Sequence, residues 1–400
     1  MGRPTLEVAD IFRQYGPAYR ARVALPSQHL RVMRAIEICR TAALGGHVES
    51  CSQCDYQRIA YNSCRNRHCP KCQSLAREQW IERRKAELLP IAYFHVVFTI
   101  PQSIAAIALL NKEAVFHILF RTSAQTLLTI AADPKHLGAT IGLFSILHTW
   151  GQNLLFHPHV HCVVTGGGLS ADGERWVASR PHFLFSVRVL SHLFRRLFLD
   201  ALEQAHADGQ LQFSGELAHL ADPDKFRRYL KPVRRKPWVV YAKPPFAGPT
   251  HVIDYLGRYT HRVAISNNRL LAVTDNHVTF QYKDYRAHDA HQSRRMRLPA
   301  EEFLRRFLLH VIPPGFQRIR HYGLFSNRFR ARSLARCRTL LAGERSDLLP
   351  LPQQIQAVRT AIVGTASRCP QCKTGSLHRV LMLPAIRWSL VAAAPPMDTS

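Results

Sequence analysis

Five of the ten cysteines fall within 22 positions, at Cys51, Cys54, Cys64, Cys69 and Cys72. In a reducing compartment, paired Cys-x-x-Cys units hold metal in preference to forming disulfides. Cys51-Ser-Gln-Cys54 and Cys69-Pro-Lys-Cys72 are two such knuckles. Each offers two thiolates from one tight turn, and four thiolates close a tetrahedral site around zinc. The expectation is one structural Zn2+ held by Cys51, Cys54, Cys69 and Cys72. A closed four-ligand shell keeps no position for chemistry, so the ion shapes the segment. Its expected job is to rigidify a loop carrying Arg65, Arg67 and Lys71 toward nucleic acid. Cys64 and His68 are further candidate ligands, as replacements in the first shell, as ligands of a second ion, or as lining. A weaker knuckle, Cys369-Pro-Gln-Cys372, stands near the C-terminus, with His378, Cys337 and Cys39 as candidate partners.

Charge narrows the class of partner. Against 27 acidic residues stand 54 lysines and arginines, a formal +27. Such an excess says nothing about fold but favours a polyanion, with nucleic acid ahead of an acidic membrane surface. The basic residues alternate with apolar ones throughout, so this is no basic tail on a neutral body. The most apolar stretch, Ile91 to Leu110, is interrupted by His95, Pro101 and Gln102, short of the roughly 20 apolar residues of a membrane span. The N-terminus lacks the apolar run of a signal peptide. The expected location is the cytoplasm, in association with the nucleoid, with no membrane partner.

Periodicity gives a mixed order of elements. Residues 28–43 and 75–89 read as helices, and Tyr93–Ile100 as a strand ended by Pro101. Residues 103–131 have helical spacing, and Leu155–Thr165 is a strand stopped by the glycines at 166–168. From Ser186 an amphipathic helix presents Leu190, Leu193, Phe194, Leu197, Phe198 and Ala201 on one face and ends near Gly209. Trp238–Tyr241 is a short strand, and 251–262 look helical. Leu270–Thr274 and Val278–Tyr282 form a hairpin around Asp275–Asn276. This order predicts an α+β fold with a largely antiparallel sheet and flanking helices, preceded by a small helical zinc-binding module.

Two patterns carry chemistry. His159 and His161 stand two apart in a strand, so both imidazoles leave the same sheet face while Val160 enters the core. Such a pair, with a third protein ligand, grips a divalent cation and keeps positions for substrate oxygens. With 22 histidines, about one His-x-His pair arises by chance, so the pair needs company. Tyr255 and Tyr259 supply it: four apart on a helix, their phenols stack on one face. Core aromatics share that spacing, but the flanking Arg258 and Arg262 suit phosphates better than a buried stripe.

A His-hydrophobe-His strand followed by a Tyr-x-x-x-Tyr helix resembles the two-tyrosine HUH nucleases, which include rolling-circle initiators and transposases. The segment from Tyr61 to Gln73, with Cys64, Arg65, Arg67, His68, Cys69, Lys71 and Cys72, is similar to the zinc-binding domain of insertion-sequence 91 transposases. The resemblance covers roughly residues 10–340. It implies an HUH-type sheet, Mg2+ or Mn2+ at the histidines, single-stranded DNA as substrate, and Tyr255 and Tyr259 as nucleophiles forming 5′-phosphotyrosine links. It also implies three parts: a zinc-binding DNA-recognition module at 1–90, an HUH two-tyrosine domain at 91–325, and a basic, partly ordered tail at 326–400. Gln152, seven residues before His159, is the expected third metal ligand, with His251 and His261 as alternatives. Bond exchange conserves the phosphodiester energy, so no nucleotide cofactor is required and no P-loop is present.

Two other readings use the same sequence. His291 and Arg294 with Tyr322 mimic the tyrosine recombinases, which ignores the histidine strand and the paired tyrosines. A zinc-dependent DNA-binding regulator without catalysis explains the charge and the cysteines, and leaves His159, His161, Tyr255 and Tyr259 to chance.

Overall fold

The computed structural model describes residues 6–72, 81, 87–243, 264–283, 293–342 and 368–386. Most of the helix expected at 75–89 lies outside them, as do His251, Tyr255, Arg258, Tyr259, His261, Arg262 and His291.

Helices Val8–Arg22 (α1) and Ser27–Glu37 (α2) open the chain. The helix expected to reach residue 43 stops earlier, and Arg40 adopts a left-handed φ of 57°. The strands Gly46–Cys51 (β1) and Gln57–Tyr61 (β2) then form an antiparallel hairpin.

The central sheet is antiparallel throughout. It is built from Tyr93–Thr99 (β3), Ala139–Trp150 (β4), Phe156–Ser170 (β5), Trp176–Ala178 (β6), Val240–Lys243 (β7) and Ile319–Gly323 (β11). The strand order is β11-β4-β5-β3-β7, with β6 paired to β5. Directly opposed residues share a face, so one face carries Phe94, Val96, Phe98, Leu143, Leu147, Val160, Cys162 and Val164, all buried. Against it pack the helices Gln102–Leu110 (α3), Lys112–Ala132 (α4), Val187–Ala207 (α5) and Pro223–Arg235 (α6). Of the stripe expected on α5, Leu190, Phe194 and Phe198 are buried; the buried face continues through Leu199 and Leu202. The single helix expected over 103–131 is broken at Asn111. The Asn111 amide donates to the carbonyls of Ile107 and Gln212 and accepts from the Gln212 N–H, a tertiary use that periodicity does not encode.

The strands Leu270–Thr274 (β8), His277–Lys283 (β9) and Ser293–Pro299 (β10) form a second sheet, followed by helix Ala300–Leu309 (α7). Asp275 and Asn276 both have positive φ, as the expected two-residue turn requires. This unit shares a core with the N-terminal helices: Val8, Ile11, Phe12, Met33 and Ile36 meet Phe280, Phe303, Leu304 and Phe307. The Phe12 and Phe307 rings are 5.1 Å apart, edge to face. A core therefore spans the boundary expected near residue 90.

The described C-terminal residues are integrated as well. Helix Arg330–Ala342 (α8) sets Leu334, Cys337 and Leu341 against Tyr93, Phe144, Ile146 and Val163, on the second face of the central sheet. Strand Leu377–Leu383 (β12) pairs with β1, giving a three-stranded sheet of order β12-β1-β2.

Candidate metal centre

The second face of the central sheet, beyond the part covered by α8, is lined with histidines. Register places His159 opposite His148 of β4 and opposite Thr99 of β3, while His161 lies opposite Ile146 and Val97. Three imidazoles therefore converge, and a donor atom of each of His148, His159 and His161 lies within 4.8 Å of the others. Ring centroids are 4.4 Å apart for His148 and His161, and 4.9 Å for His159 and His161.

Sequence reasoning expected Gln152 as the third ligand. The structure brings a third imidazole, His148, to the pair. Gln152 follows β4 in the turn, where its backbone carbonyl accepts from Arg269. The signal for His148 lay in the apolar run at 141–150, a strand that periodicity passed over.

The surroundings favour neutral, metal-ready imidazoles. His159 Nδ1 donates to the His157 carbonyl at 2.7 Å, which assigns the metal-binding lone pair to Nε2. Burial pushes His159 down to about 4. His95 of β3 meets His161 edge to edge, with ring centroids 5.0 Å apart and planes 3° from parallel, and its Nε2 lies 2.8 Å from His161 Nδ1. Burial, reinforced by the Lys243 and His159 charges, lowers His95 to about 3. Three imidazole nitrogens could hold a divalent cation and would leave positions of its shell for oxygen ligands.

The cysteines group differently from the expected single site. Cys51 and Cys54 meet Cys369 and Cys372, whereas Cys69 and Cys72 meet Cys39 and Cys64. The β1–β2 hairpin explains the partition. Cys39 precedes it and Cys64 follows it, both at its base, while Cys51 and Cys54 sit at its tip. Six extended residues place base and tip on the order of 17 Å apart. Cys39, offered by sequence as a partner for Cys369, belongs to the other group. Cys337 faces the core from α8, and His378 bonds Ser376.

Both quartets fit tetrathiolate zinc. Sγ separations are 3.6 Å for Cys39–Cys72, 3.5 Å for Cys64–Cys72, 3.6 Å for Cys51–Cys372 and 3.7 Å for Cys54–Cys369. Zn–S bonds of about 2.3 Å give a tetrahedron with an edge of about 3.8 Å. The hydrogen bonds that the four thiols share hold Cys72 below the ordinary thiol range and Cys64 and Cys69 above it, so the quartet shares its negative charge unevenly. His68 takes no part. Its Nδ1 faces Asn66 Oδ1 and its Nε2 accepts the Ile312 N–H.

Of the cations expected to face DNA from this loop, Arg65 is exposed. Arg67 is turned inward and donates to the Phe316 carbonyl at 2.7 Å, and Lys71 pairs with Glu7.

Two families match the chain: one described as a putative transposase, of the Y2 type, over residues 142–333, and the other as a transposase zinc-binding domain, of the insertion-sequence 91 type, over 11–100. The putative transposase y4qJ of Sinorhizobium fredii is 58% identical over 385 residues, covering 94% of this chain and 95% of that protein. The chain belongs to the insertion-sequence 91 family of Y2 transposases. The transposase for insertion sequence element IS801 of Pseudomonas savastanoi pv. phaseolicola is more distant, 30% identical over 293 residues, 72% of this transposase and 68% of its own length. No solved structure matches the chain. The transposase is an enzyme acting on DNA, which accounts for its +27 charge. Among the described residues, no helix is long and apolar enough to cross a membrane.

Proposed function

We propose that this transposase nicks and rejoins single-stranded DNA through tyrosine–phosphate intermediates at an HUH-type centre. The observation that carries the reading is the convergence of His148, His159 and His161 from the two central strands of an antiparallel sheet. Bound there, Mg2+ or Mn2+ would polarise the scissile phosphate and offset the charge that develops on it.

In the first exchange, the phenolic oxygen of Tyr255 or Tyr259 attacks phosphorus. A Tyr O–P bond forms, the P–O3′ bond breaks, and the departing 3′ oxygen ends as a hydroxyl carrying the proton that the phenol gave up. The product is a 5′-phosphotyrosine and a free 3′-OH, so no external energy source is consumed. A phenol of ordinary pKa near 10 is a poor nucleophile at neutral pH, and Arg258 and Arg262, which flank the tyrosines in sequence, would stabilise the phosphates around it. Two tyrosines permit two successive exchanges, as transfer of one strand end to a new site demands. Residues 1–90 act in DNA recognition, with Arg65 as an exposed contact, and residues 91–325 carry the chemistry.

The recombinase reading loses support from Tyr322. Its half-buried side chain packs against the core on the helix-covered face of the sheet, and burial raises its phenol to about 12. The decisive experiment incubates the full chain with labelled single-stranded oligonucleotide from the element's own ends and Mn2+. A covalent adduct is expected, abolished in Tyr255→Phe/Tyr259→Phe and in His161→Ala. An adduct that persists in the double tyrosine variant, or forms equally with chelator present, ends the proposal. DNA binding with no adduct at all favours the non-catalytic regulator.

A further inference from the structure

The chemistry proposed above makes no use of the quartet Cys51, Cys54, Cys369 and Cys372. Two of its members lie beyond both stretches matched to known families, which end at residues 100 and 333. We propose that this quartet binds a Zn2+ of its own, independent of the ion at Cys39, Cys64, Cys69 and Cys72, and that this second ion clasps the C-terminal hairpin onto the N-terminal module.

The geometry is that of two facing knuckles. Cys369 and Cys372 sit in a tight loop closed by Cys369 N–H to the Gly375 carbonyl at 2.8 Å and Lys373 N–H to the Cys369 carbonyl at 3.0 Å. Each knuckle also turns a backbone N–H onto one of its sulfurs: Gln53 to Cys51 Sγ at 3.3 Å, and Gly375 to Cys372 Sγ at 3.2 Å. Such bonds stabilise thiolates, the form a metal requires. The two Sγ–Sγ approaches across the knuckles, 3.6 and 3.7 Å, suit a tetrahedral edge and lie far outside the roughly 2.05 Å of a disulfide.

Gly375 gives an independent sign that the loop is built around this contact. A Cβ at that position would collide with Cys51 Sγ and with the Gln53 side chain. The backbone thus approaches the opposite knuckle as closely as glycine alone permits.

The clasp has a defined mechanical role. Ser52 N–H donates to the Ser376 carbonyl, and Ser376 N–H returns to Ser52 Oγ, so the loop feeds directly into the β12–β1 ladder. Without β12, the β1–β2 pair would be an isolated two-stranded hairpin, which is marginal in water. Since 315 positions separate Cys54 from Cys369, local sequence cannot hold them together. Zinc at the four thiolates supplies the link.

Native mass spectrometry of the full chain tests the count: two Zn2+ per wild-type molecule, and one in Cys369→Ser/Cys372→Ser. In that variant, amide exchange over 377–383 should rise while protection of α1 and α2 persists. A wild-type chain with a single zinc, or a double variant retaining two, overturns the proposal. A measurement on the wild type removes any dependence on how the variant folds. Titration with a mercurial thiol reagent, with a chromophoric chelator reporting released zinc, should show two phases of one equivalent each. One phase should coincide with loss of amide protection in β12 while α1 and α2 stay protected. Release of only one equivalent, or release of both with β12 still protected, also overturns it.

Discussion

The histidine trio and the cysteine quartets are assembled in opposite ways. The trio comes from two adjacent strands of the molecule's central sheet, His148 on β4 and His159 and His161 on β5, so its geometry is set by strand register and backed by a large core. The quartets are gathered from turns and helix ends that lie far apart in the chain. Donor number follows the same division. Four thiolates complete a shell and stabilise structure, whereas three imidazoles on a rigid sheet leave a cation able to bind something else. The fold supports the site in the first case, and the ion supports the fold in the second.

Metal loss should therefore have its largest effect at the buried quartet. Cys39 and Cys69 are fully buried and Cys39 belongs to the core shared by α1, α2, β9 and α7. Structural zinc in small modules contributes on the order of 10 kcal/mol to folding. Cys69→Ser should unfold the N-terminal module and loosen α7 with it, seen as rapid proteolysis between residues 6 and 72. A variant with a wild-type melting profile would refute the idea that this ion holds the fold.

Removing a histidine should do the reverse. His148→Ala is expected to reduce Mn2+-dependent nicking about 10³-fold, roughly 4 kcal/mol of transition-state stabilisation, with the helical signal retained. Gln152→Ala should retain most of the activity. If the Gln152 variant is dead and the His148 variant active, the ligand set drawn from the sheet is wrong.

That contrast also marks what the sequence could and could not convey. His159 and His161 were legible because alternation along one strand is a local rule, and so was the turn at Asp275–Asn276. His148 was not, since its relation to His159 exists only through cross-strand register. The cysteine partition was illegible for a related reason: neighbours in sequence at the tip and base of a hairpin are distant in space, and Cys369 and Cys372 come from the far end of the chain. The break at Asn111 likewise depends on Gln212, a hundred positions away. Local periodicity found α5 and β5; long-range partners decided the sites.

A smaller effect concerns His310, which ties the end of α7 to the turn beside the metal centre. Its Nε2 donates to the Leu154 carbonyl and its Nδ1 lies 3.2 Å from the Thr149 hydroxyl, while burial favours the neutral ring. Burial holds it at about 3, against an ordinary value near 6.5. Between those values the unfolded chain binds a proton that the folded chain refuses, so stability falls as pH drops below about 6.5. From pH 7 to pH 5 this one group accounts for about 2 kcal/mol. Urea melts of wild type and His310→Asn at both pH values should show a shallower pH dependence in the variant; equal slopes would remove His310 as the cause.

The smallest predicted effect lies closest to the chemistry. An imidazole that binds a cation through Nε2 carries its proton on Nδ1, and for His161 that atom faces His95 Nε2 at 2.8 Å. His95 then acts as a positioning residue, fixing the ring and tautomer of His161 without touching substrate. Losing such a partner typically costs 10–100-fold in metal affinity or activity. Because both rings are buried and partly constrained by packing, His95→Phe is expected at the low end of that range, about tenfold. The loss should appear as a higher Mn2+ concentration for half-maximal nicking, recoverable by excess Mn2+, while His95→Gln, whose side-chain oxygen can accept the same bond, restores part of it. A fall in maximal rate that excess Mn2+ does not repair would mean that His95 serves the fold and not the metal.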